Sequence, residues 1–253
     1  MKTILRDKLV VEIYDTRAEM GKAAGNMAAE KIRDCLAEKD AVNVIFAAAP
    51  SQNEMLETLV AASGIDWSRV NAFHMDEYIG LSKDAPQGFG NFLKERIFAK
   101  LPFKSVNYIN CSADDIEAEC QRYSSLLKEY PVDVVLLGIG ENGHIAFNDP
   151  HVADFNDVNT VKAVELDDVC RNQQVNDGCF DSIEKVPKYA LTLTIPTLFS
   201  ARHMVCTVPA ATKAWAVDKT VNGEIGEQCP ATIMRRHESA VMYCDADSGS
   251  KLI

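Results

Sequence analysis

Acid–base side chains follow two short apolar segments of the sequence. Asp76 and Glu77 come at the end of Val70–Met75, and His144 lies in the glycine-rich run Gly138–Pro150, which follows another apolar segment. A partly desolvated carboxylate can act as a general base, and a histidine titrates close to neutral pH. Neighbouring residues of an extended strand point to opposite sides, so we expect only one carboxylate of the pair to face a ligand. The pattern indicates proton-transfer chemistry.

Structural roles are also open to these side chains. Asp76 or Glu77 could cap the turn that follows the strand, because carboxylates are favoured at helix N-termini. A histidine alone is weak evidence, but His144 is accompanied by three glycines and by Asp149 at the end of a buried strand. Asn142 and Asp149 are near enough in sequence to orient its ring, so we expect a catalytic histidine at this position.

The segment from Gly138 to Gly143 matches the G-x-G-x-x-G fingerprint of dinucleotide-binding proteins. That fingerprint requires a helix that starts at the glycines, whereas the Asn-Asp-Pro sequence at 148–150 ends any helix after about one turn. The segment also follows about the fifth predicted strand rather than the first. We therefore expect no dinucleotide cofactor, and we interpret Gly140 and Gly143 as positions where the backbone approaches a ligand closely.

Two other predicted strand ends carry residues that could bind an anion. Ser51 and Gln52 follow Val42–Ala47 and precede a predicted helix, whose free N–H groups would suit a phosphate. Ser51 could equally be a plain N-cap of that helix. Lys213 follows His203–Val208 and could reach a phosphate in the same crevice, or it could be a solvated lysine on a helix.

Apolar, β-branched segments alternate with longer amphipathic ones along the chain. The alternation predicts a modified Rossmann-like, doubly wound α/β fold, with a mostly parallel sheet and helices on both faces, in one domain over residues 1–253. Ligands of such sheets bind beyond the carboxyl ends of the strands. The least regular stretch, Asp149–Lys188, is expected to form loops or a lid. The predicted strands are Leu9–Ile13, Val42–Ala47, Val70–Met75, Val106–Ile109, Val132–Leu137, His203–Val208 and Ala240–Tyr243, and the predicted helices are Arg17–Glu38, Asn53–Ala62, Phe89–Lys100, Asp114–Glu129 and Ala211–Val221.

The composition indicates which partners and which cellular compartment the chain favours. With 37 acidic and 26 basic residues, a net charge of −11 disfavours nucleic acid and anionic membranes as partners. No two of the cysteines, at positions 35, 111, 120, 170, 179, 206, 229 and 244, form a C-x-x-C pair, which favours buried free thiols over disulfides or a zinc site. The N-terminus is not that of a signal peptide, and no apolar stretch approaches the roughly 18 residues of a membrane span. We expect a cytoplasmic protein.

Two motifs carry a resemblance to a known family. M-D-E-Y-I-G-L at 75–81 and G-H-I-A-F-N-D-P at 143–150, helped by V-P-K-Y-A-L at 186–191, are similar to motifs of the glucosamine-6-phosphate deaminase (isomerase) family. Its superfamily also holds the 6-phosphogluconolactonases. The resemblance covers about residues 10–245. Lactonases typically have D-G-H-T-A-S-L-F-P where this chain has N-G-H-I-A-F-N-D-P, which favours the deaminase branch.

The resemblance implies a deaminase/isomerase-like hydrolase that acts on an amino-hexose 6-phosphate and needs no redox cofactor or catalytic metal. Asp76 would move a proton between C2 and C1 of the opened sugar, and His144 would catalyse ring opening. Asn142 and Asp149 would support that histidine. The amine would leave, and a ketose phosphate would remain. The candidate substrate-binding residues are Ser51, Gln52, Glu77, Gly140, Gly143 and Lys213.

Two residues and the phosphate-binding part of the chain depart from the family pattern. Asn142 stands where the family often has Asp, and Asp149 stands where it has Glu before Pro. The stretch 48–52 replaces the Gly-rich, Thr-Pro phosphate loop, and Arg171 aligns poorly with the family's phosphate-binding arginine. The catalytic half of the pattern is better kept than the phosphate-binding half, which leaves open a sugar phosphate other than glucosamine 6-phosphate, such as galactosamine 6-phosphate.

Other functions are compatible with parts of this pattern. A 6-phosphogluconolactonase would use the same scaffold, and a non-catalytic sugar-phosphate-binding module would resemble the sensing domains of some transcription regulators. A metal hydrolase built on His74, Asp76 and His144 is disfavoured because their spacing fits no standard ligand pattern, and we expect His74 to be a packed or solvated histidine. Assembly into a homo-oligomer is compatible with the sequence, which shows no surface patch that decides it.

Overall fold

A central mixed sheet organises the protein in the computed structural model, which describes residues 1–110 and 112–252. The strands of this described part are β1 (Lys2–Arg6), β2 (Leu9–Ile13), β3 (Val42–Phe46), β4 (Val70–His74), β5 (Asp76–Tyr78), β6 (Ser105–Asn107), β7 (Val134–Leu137), β8 (Val161–Glu165), β9 (Tyr189–Leu193), β10 (His203–Val208) and β11 (Ala240–Cys244). Its α-helices are α1 (Arg17–Glu38), α2 (Asn53–Val60), α3 (Phe89–Leu93), α4 (Ile116–Glu129), α5 (Asp168–Asn176), α6 (Ile195–Phe199) and α7 (Ala214–Asn222).

The eight strands of the central sheet lie in the order β1-β2-β11-β10-β7-β3-β4-β6. All neighbours are parallel except β1, which pairs with β2 in the antiparallel sense. All seven strands predicted from the sequence are present, and β7 is buried along its whole length, as its apolar composition predicts.

Helices cover both faces of the sheet, which confirms the doubly wound architecture. Apolar side chains of α1 and α2 contribute to one core cluster, whereas those of α4, α6 and α7 contribute to the other. The longest helix, α1, begins after Thr16, whose hydroxyl accepts a hydrogen bond from the Glu19 N–H at 3.2 Å. Buried residues recur along α1 at helical spacing and fix its orientation on the sheet.

A second, three-stranded antiparallel sheet, β5-β9-β8, corrects the expectation of loops or a lid between residues 149 and 188. That stretch contains β8 and α5. In β8, two residues are buried, Val161 and Val164, and the other three are more exposed. Helix α5 begins after Asp167, whose carboxylate accepts from the Cys170 N–H at 2.6 Å. The small sheet attaches this region to β5, directly after the end of β4.

The chain turns in opposite directions after β3 and after β7, which are neighbours in the sheet. After β3 the next strands of the sheet, β4 and β6, lie on one side, and after β7 the next strands, β10 and β11, lie on the other side. Such a switch point opens a crevice at the carboxyl ends of the strands, where ligands of α/β sheets bind. The loops after β3, β4, β7 and β10 therefore meet at one place.

Two predictions from composition concern the cysteines and membrane spans. The seven cysteines in the described part are free thiols, and all but Cys179 are buried, as predicted. Cys111 lies outside the described residues. Within residues 1–110 and 112–252, none of the helices has the length and apolar character needed to cross a membrane.

Candidate active site

A cleft lies at the switch point and encloses about 480 Å³ of open space, including the solvent at its mouth. Its walls combine apolar side chains with a short set of polar ones. The polar lining side chains are Ser51, Gln52, Asp76, His144, Gln173, Gln174 and Lys213.

Asp76 is the carboxylate at the β4 side of the cleft. It begins β5, two residues after β4 ends, and its side chain is only 6% exposed. Burial raises its pKa well above the usual range, and the charge of Glu77 adds to the effect. A carboxyl group with a raised pKa takes up and releases a proton at a pH closer to neutrality, which suits a general base.

His74 holds the backbone of Asp76 in place. The His74 ring is fully buried, and its Nε2 accepts from the Ile109 N–H at 2.9 Å. The proton of the neutral ring is therefore on Nδ1, which donates to the Asp76 carbonyl oxygen at 3.0 Å. Burial lowers the pKa of His74 to about 4, so the ring is neutral at pH 7. His74 is the packed histidine that the sequence predicts.

The buried His74 ring is expected to make the protein less stable in mild acid. The unfolded chain binds a proton below pH 6.5 and the folded chain only below about pH 4, so the free energy of unfolding falls as the pH drops through this window. This pKa difference corresponds to about 3 kcal/mol. Urea unfolding at pH 7.5 and pH 4.5 should show a smaller loss for His74→Gln than for the wild type. An equal loss in both proteins would contradict the assignment.

Glu77 points away from the cleft and caps a helix. Its carboxylate accepts from the backbone N–H groups of Tyr78 at 2.9 Å, Phe89 at 3.0 Å and Gly90 at 2.8 Å. The last two belong to the first turn of α3, so Glu77 has the capping role that the sequence left open. The alternation of a strand explains why only Asp76 of the pair lines the cleft.

His144 lies in a turn held by the glycines of its segment. A side chain at Gly140 would come within 2.1 Å of the His144 ring, so only glycine allows the ring to pack on this backbone. Gly143 has φ +82°, a left-handed conformation that favours glycine, and it packs against Cys229 rather than lining the cleft. No helix starts at these glycines in the described chain, which agrees with the rejection of a dinucleotide loop.

Asp149 reaches His144 despite its short side chain. Its Oδ1 lies 2.9 Å from Nδ1 of the His144 ring, and the aspartate is fully buried. The angle at the ring nitrogen departs from that of an ideal hydrogen bond. Catalytic hydrogen bonds in unliganded sites are often poorly aligned in this way. The contact directs the other ring nitrogen, Nε2, away from the aspartate.

Asn142 and Asp167 complete the support of the histidine. The Asn142 amide donates to Asp149 and to Asp167, both at 3.0 Å, and its oxygen accepts from the His144 N–H at 3.0 Å. The Asp167 N–H donates to Asp149 at 3.2 Å. Burial raises the pKa of Asp149, but His144, Asn142 and the Asp167 N–H outweigh it and lower the pKa, so Asp149 is ionised at neutral pH.

Lys213 brings a positive charge to the cleft. It ends a short 3₁₀ turn between β10 and α7, and the carboxylate of Asp245 anchors this turn by accepting from the Ala210 N–H at 3.0 Å. Lys213 is 5% exposed. Burial lowers its pKa, against the opposite effect of Asp177 and Glu141. In the described part of the chain, its ammonium makes no hydrogen bond or ion pair.

Ser51 and Gln52 line the cleft but do not cap helix α2. Of the two roles left open for Ser51, the structure does not show the N-cap, because a 3₁₀ turn beginning at Pro50 precedes the helix and makes Gln52 its cap residue, without a side-chain hydrogen bond. The Gln52 amide donates to the Ser51 hydroxyl at 3.0 Å and to the Thr207 carbonyl at 3.3 Å.

Sequence reasoning missed cleft residues contributed by α5. Gln173 and Gln174 line the cleft from this helix, in the stretch for which the sequence predicts loops or a lid. The acidic residue at its N-cap was a usable signal for a helix start. Arg171, in the same helix, does not line the cleft. Its guanidinium binds the Asp168 carboxylate and the carbonyl oxygens of Ile183 and Val186.

Side chains that could hold a metal gather around Asp149. Their ligand atoms lie within 4.8 Å of one another in two groups of the described residues, one with His144 and Cys170 and one with His151 and Asp167. Burial raises the pKa of Cys170 well above its usual value, which opposes formation of a metal-binding thiolate. Asp149 and Asp167 already accept from Asn142, so the contacts favour a hydrogen-bonded assembly.

Comparison with known proteins identifies the family. The model of the family described as glucosamine-6-phosphate isomerases/6-phosphogluconolactonase matches residues 15–243. The chain belongs to this family. A glucosamine-6-phosphate deaminase from Lactobacillus delbrueckii subsp. bulgaricus is 32% identical over 240 residues, which cover 95% of this chain and 98% of that protein. One from Bacillus cereus is 36% identical over 184 residues, covering 73% of this chain and 68% of that protein.

Solved structures of relatives share the fold. A monomeric glucosamine-6-phosphate deaminase has a TM-score of 0.86 at 30% identity, covering 95% of this chain and 98% of that one. A 6-phosphogluconolactonase from Thermotoga maritima has a TM-score of 0.77 at 20% identity, covering 94% and 100%, a likeness that shows the fold alone. The three relatives compared above at 30% identity or more are deaminases, so an isomerase/deaminase describes the family branch better than the expected word hydrolase, which fits the lactonases.

Proposed function

We propose that the protein converts an amino-hexose 6-phosphate, with glucosamine 6-phosphate as the first candidate, into a ketose 6-phosphate and ammonia. The observation that carries this proposal is that Asp76, His144 and Lys213 line one cleft at the strand ends. A carboxylate, a histidine and an ammonium group supply the base, the ring-opening group and the phosphate partner that this reaction needs. Free cysteines fit a reducing compartment, and we propose that the protein works in the cytoplasm.

Ring opening is the role that we assign to His144. Its Nδ1 faces the ionised Asp149, which leaves Nε2 available to move a proton between the sugar's C1 hydroxyl and its ring oxygen. Asp149 stabilises the imidazolium that forms during this transfer. Asn142 keeps the aspartate oriented through its amide.

Proton transfer between carbons is the role that we assign to Asp76. The C2 proton passes to the carboxylate while its electron pair forms a C1–C2 double bond and O1 takes up a proton. Asp76 then returns its proton to C1, which leaves an iminium ion at C2. Water adds at C2 and ammonia leaves. C1 is reduced and C2 is oxidised within one molecule, so the reaction needs no outside oxidant.

The direct test is incubation of the purified protein with glucosamine 6-phosphate. We expect one ammonia for each fructose 6-phosphate, measured by coupled assays of both products, and a galactosamine 6-phosphate arm tests the stereochemistry at C4. The Asp76→Asn protein, purified in parallel, controls for contaminating deaminase. Absence of ammonia from both amino-hexose phosphates, or turnover of 6-phosphogluconolactone alone, would overturn the proposal.

A further inference from the structure

The side of the cleft that must hold the far end of the sugar carries little positive charge. Of the seven polar lining side chains, Asp76 and His144 perform the chemistry, and the other five form what we call the anchor set: Ser51, Gln52, Gln173, Gln174 and Lys213. Lys213 is the one basic side chain among these described residues. A phosphate dianion would therefore meet a single ammonium group, whose field is weakened by the carboxylates of Glu141 and Asp177.

Arginines of neighbouring elements are engaged elsewhere. Arg171 is bound to Asp168 and to two backbone carbonyls, and Arg17 binds Glu54 through Nε at 2.7 Å and Nη2 at 3.0 Å. Neither lines the cleft. The guanidinium group is the side chain that recognises phosphate through two parallel hydrogen bonds. The cleft lacks this mode of recognition among the described residues.

Gln52 presents an acceptor that a phosphate cannot satisfy. Its amide nitrogen must face the Thr207 carbonyl oxygen, so the orientation of the amide is fixed and Oε1 is the free atom. This Oε1 is buried without a hydrogen-bond partner, and the whole residue is 0% exposed. A buried acceptor is stabilised by a donor from the ligand, and a hydroxyl group donates whereas a phosphate dianion does not.

Two backbone positions of the turn before α2 cannot donate to a phosphate. Proline has no N–H group, and the Gln52 N–H already donates to the Ala49 carbonyl at 2.9 Å. Pro50 and Gln52 therefore supply no free N–H group at this point of the cleft. Gln174, whose side-chain amide makes no hydrogen bond within the described chain, can donate to or accept from a hydroxyl group.

We propose that the cleft accepts amino-hexoses with a free C6 hydroxyl as well as their 6-phosphates, and that the phosphate contributes only modestly to catalytic efficiency. This inference rests on the proposed function and extends its substrate class. The reaction with the unphosphorylated sugar is glucosamine plus water giving fructose plus ammonia. Its proton moves from C2 through Asp76 to C1, water adds at C2, and ammonia is the leaving group.

The test compares kcat/KM for glucosamine and glucosamine 6-phosphate by ammonia release. One charge-assisted contact is worth about 10- to 100-fold, so we expect the phosphate to raise kcat/KM by no more than about 100-fold in the wild type. Gln174→Arg adds a guanidinium to the anchor set and should raise this preference by a further factor of about 10. Gln174→Met, of similar length but uncharged, should not raise it.

A preference for the phosphate of more than about 100-fold in the wild type would overturn the inference and leave the proposed function standing. If neither glucosamine nor glucosamine 6-phosphate releases ammonia, the comparison is repeated with galactosamine and its 6-phosphate, and absence of ammonia there as well overturns the proposed function instead. In that case calorimetry measures the dissociation constants of the two sugars, and a preference for the phosphorylated sugar of more than about 100-fold overturns the inference. Thermal unfolding shows whether Gln174→Arg is folded, and if it is not, the wild-type ratio decides alone.

Discussion

Replacement of Asp76 by Asn is expected to lower kcat by about 10²- to 10⁴-fold, the usual contribution of a general base, while substrate binding is largely kept. The amide has nearly the shape of the carboxylate but cannot take the C2 proton. Because burial raises the pKa of Asp76, activity should also fall on the acid side at a pH above the ordinary aspartate value of about 3.9. Initial rates of ammonia release and calorimetric binding of the substrate measure the two effects separately.

Measurements of stability test whether unfolding causes the expected loss of activity in Asp76→Asn. A buried carboxyl with a raised pKa lowers stability as the pH rises above its unfolded value, since the unfolded chain gives up the proton more readily. The neutral amide of the variant lacks this penalty, so Asp76→Asn should be at least as stable as the wild type at pH 7.5. Asp84→Asn, an exposed change in the loop after β5, is the matched control. Full activity of Asp76→Asn would remove its assigned role.

The position of the candidate site could be predicted from the sequence because its signals are local. Apolar, β-branched segments immediately precede Asp76 and the His144 turn, and strand ends of a parallel sheet converge at one edge. The signal against a dinucleotide-binding loop is also local, because Pro150 follows the glycines within a few residues and cannot continue a helix. The order of strands in the sheet then brings these two segments to one cleft.

Contacts between distant residues were not predictable in the same way. Glu77 caps Phe89 and Gly90, which are 12 and 13 residues further along the chain, and nothing in the adjacent sequence indicates that contact. The small sheet was missed because β8 has only two buried positions, too few for a clear alternating pattern. Gln174 reaches the cleft from a largely polar helix, so its position depends on tertiary packing.

Replacement of Asp149 by Asn is expected to lower kcat/KM by about 100-fold or more, because it disables the acid–base function of His144. The ionised Asp149 accepts at Nδ1 and stabilises the imidazolium, whereas an amide N–H would favour the opposite tautomer, with the proton on Nε2. The amide of the variant would also offer one oxygen where Asn142 and the Asp167 N–H each require an acceptor.

The conservative variant Asp149→Glu separates this role from a purely structural one. It keeps the carboxylate, so it should retain activity within about 10-fold of the wild type if charge and acceptor geometry are what His144 needs. Asp154→Asn, in an exposed position of the following loop, should leave kcat/KM unchanged. Equal defects in Asp149→Glu and Asp149→Asn would show that Asp149 serves packing alone.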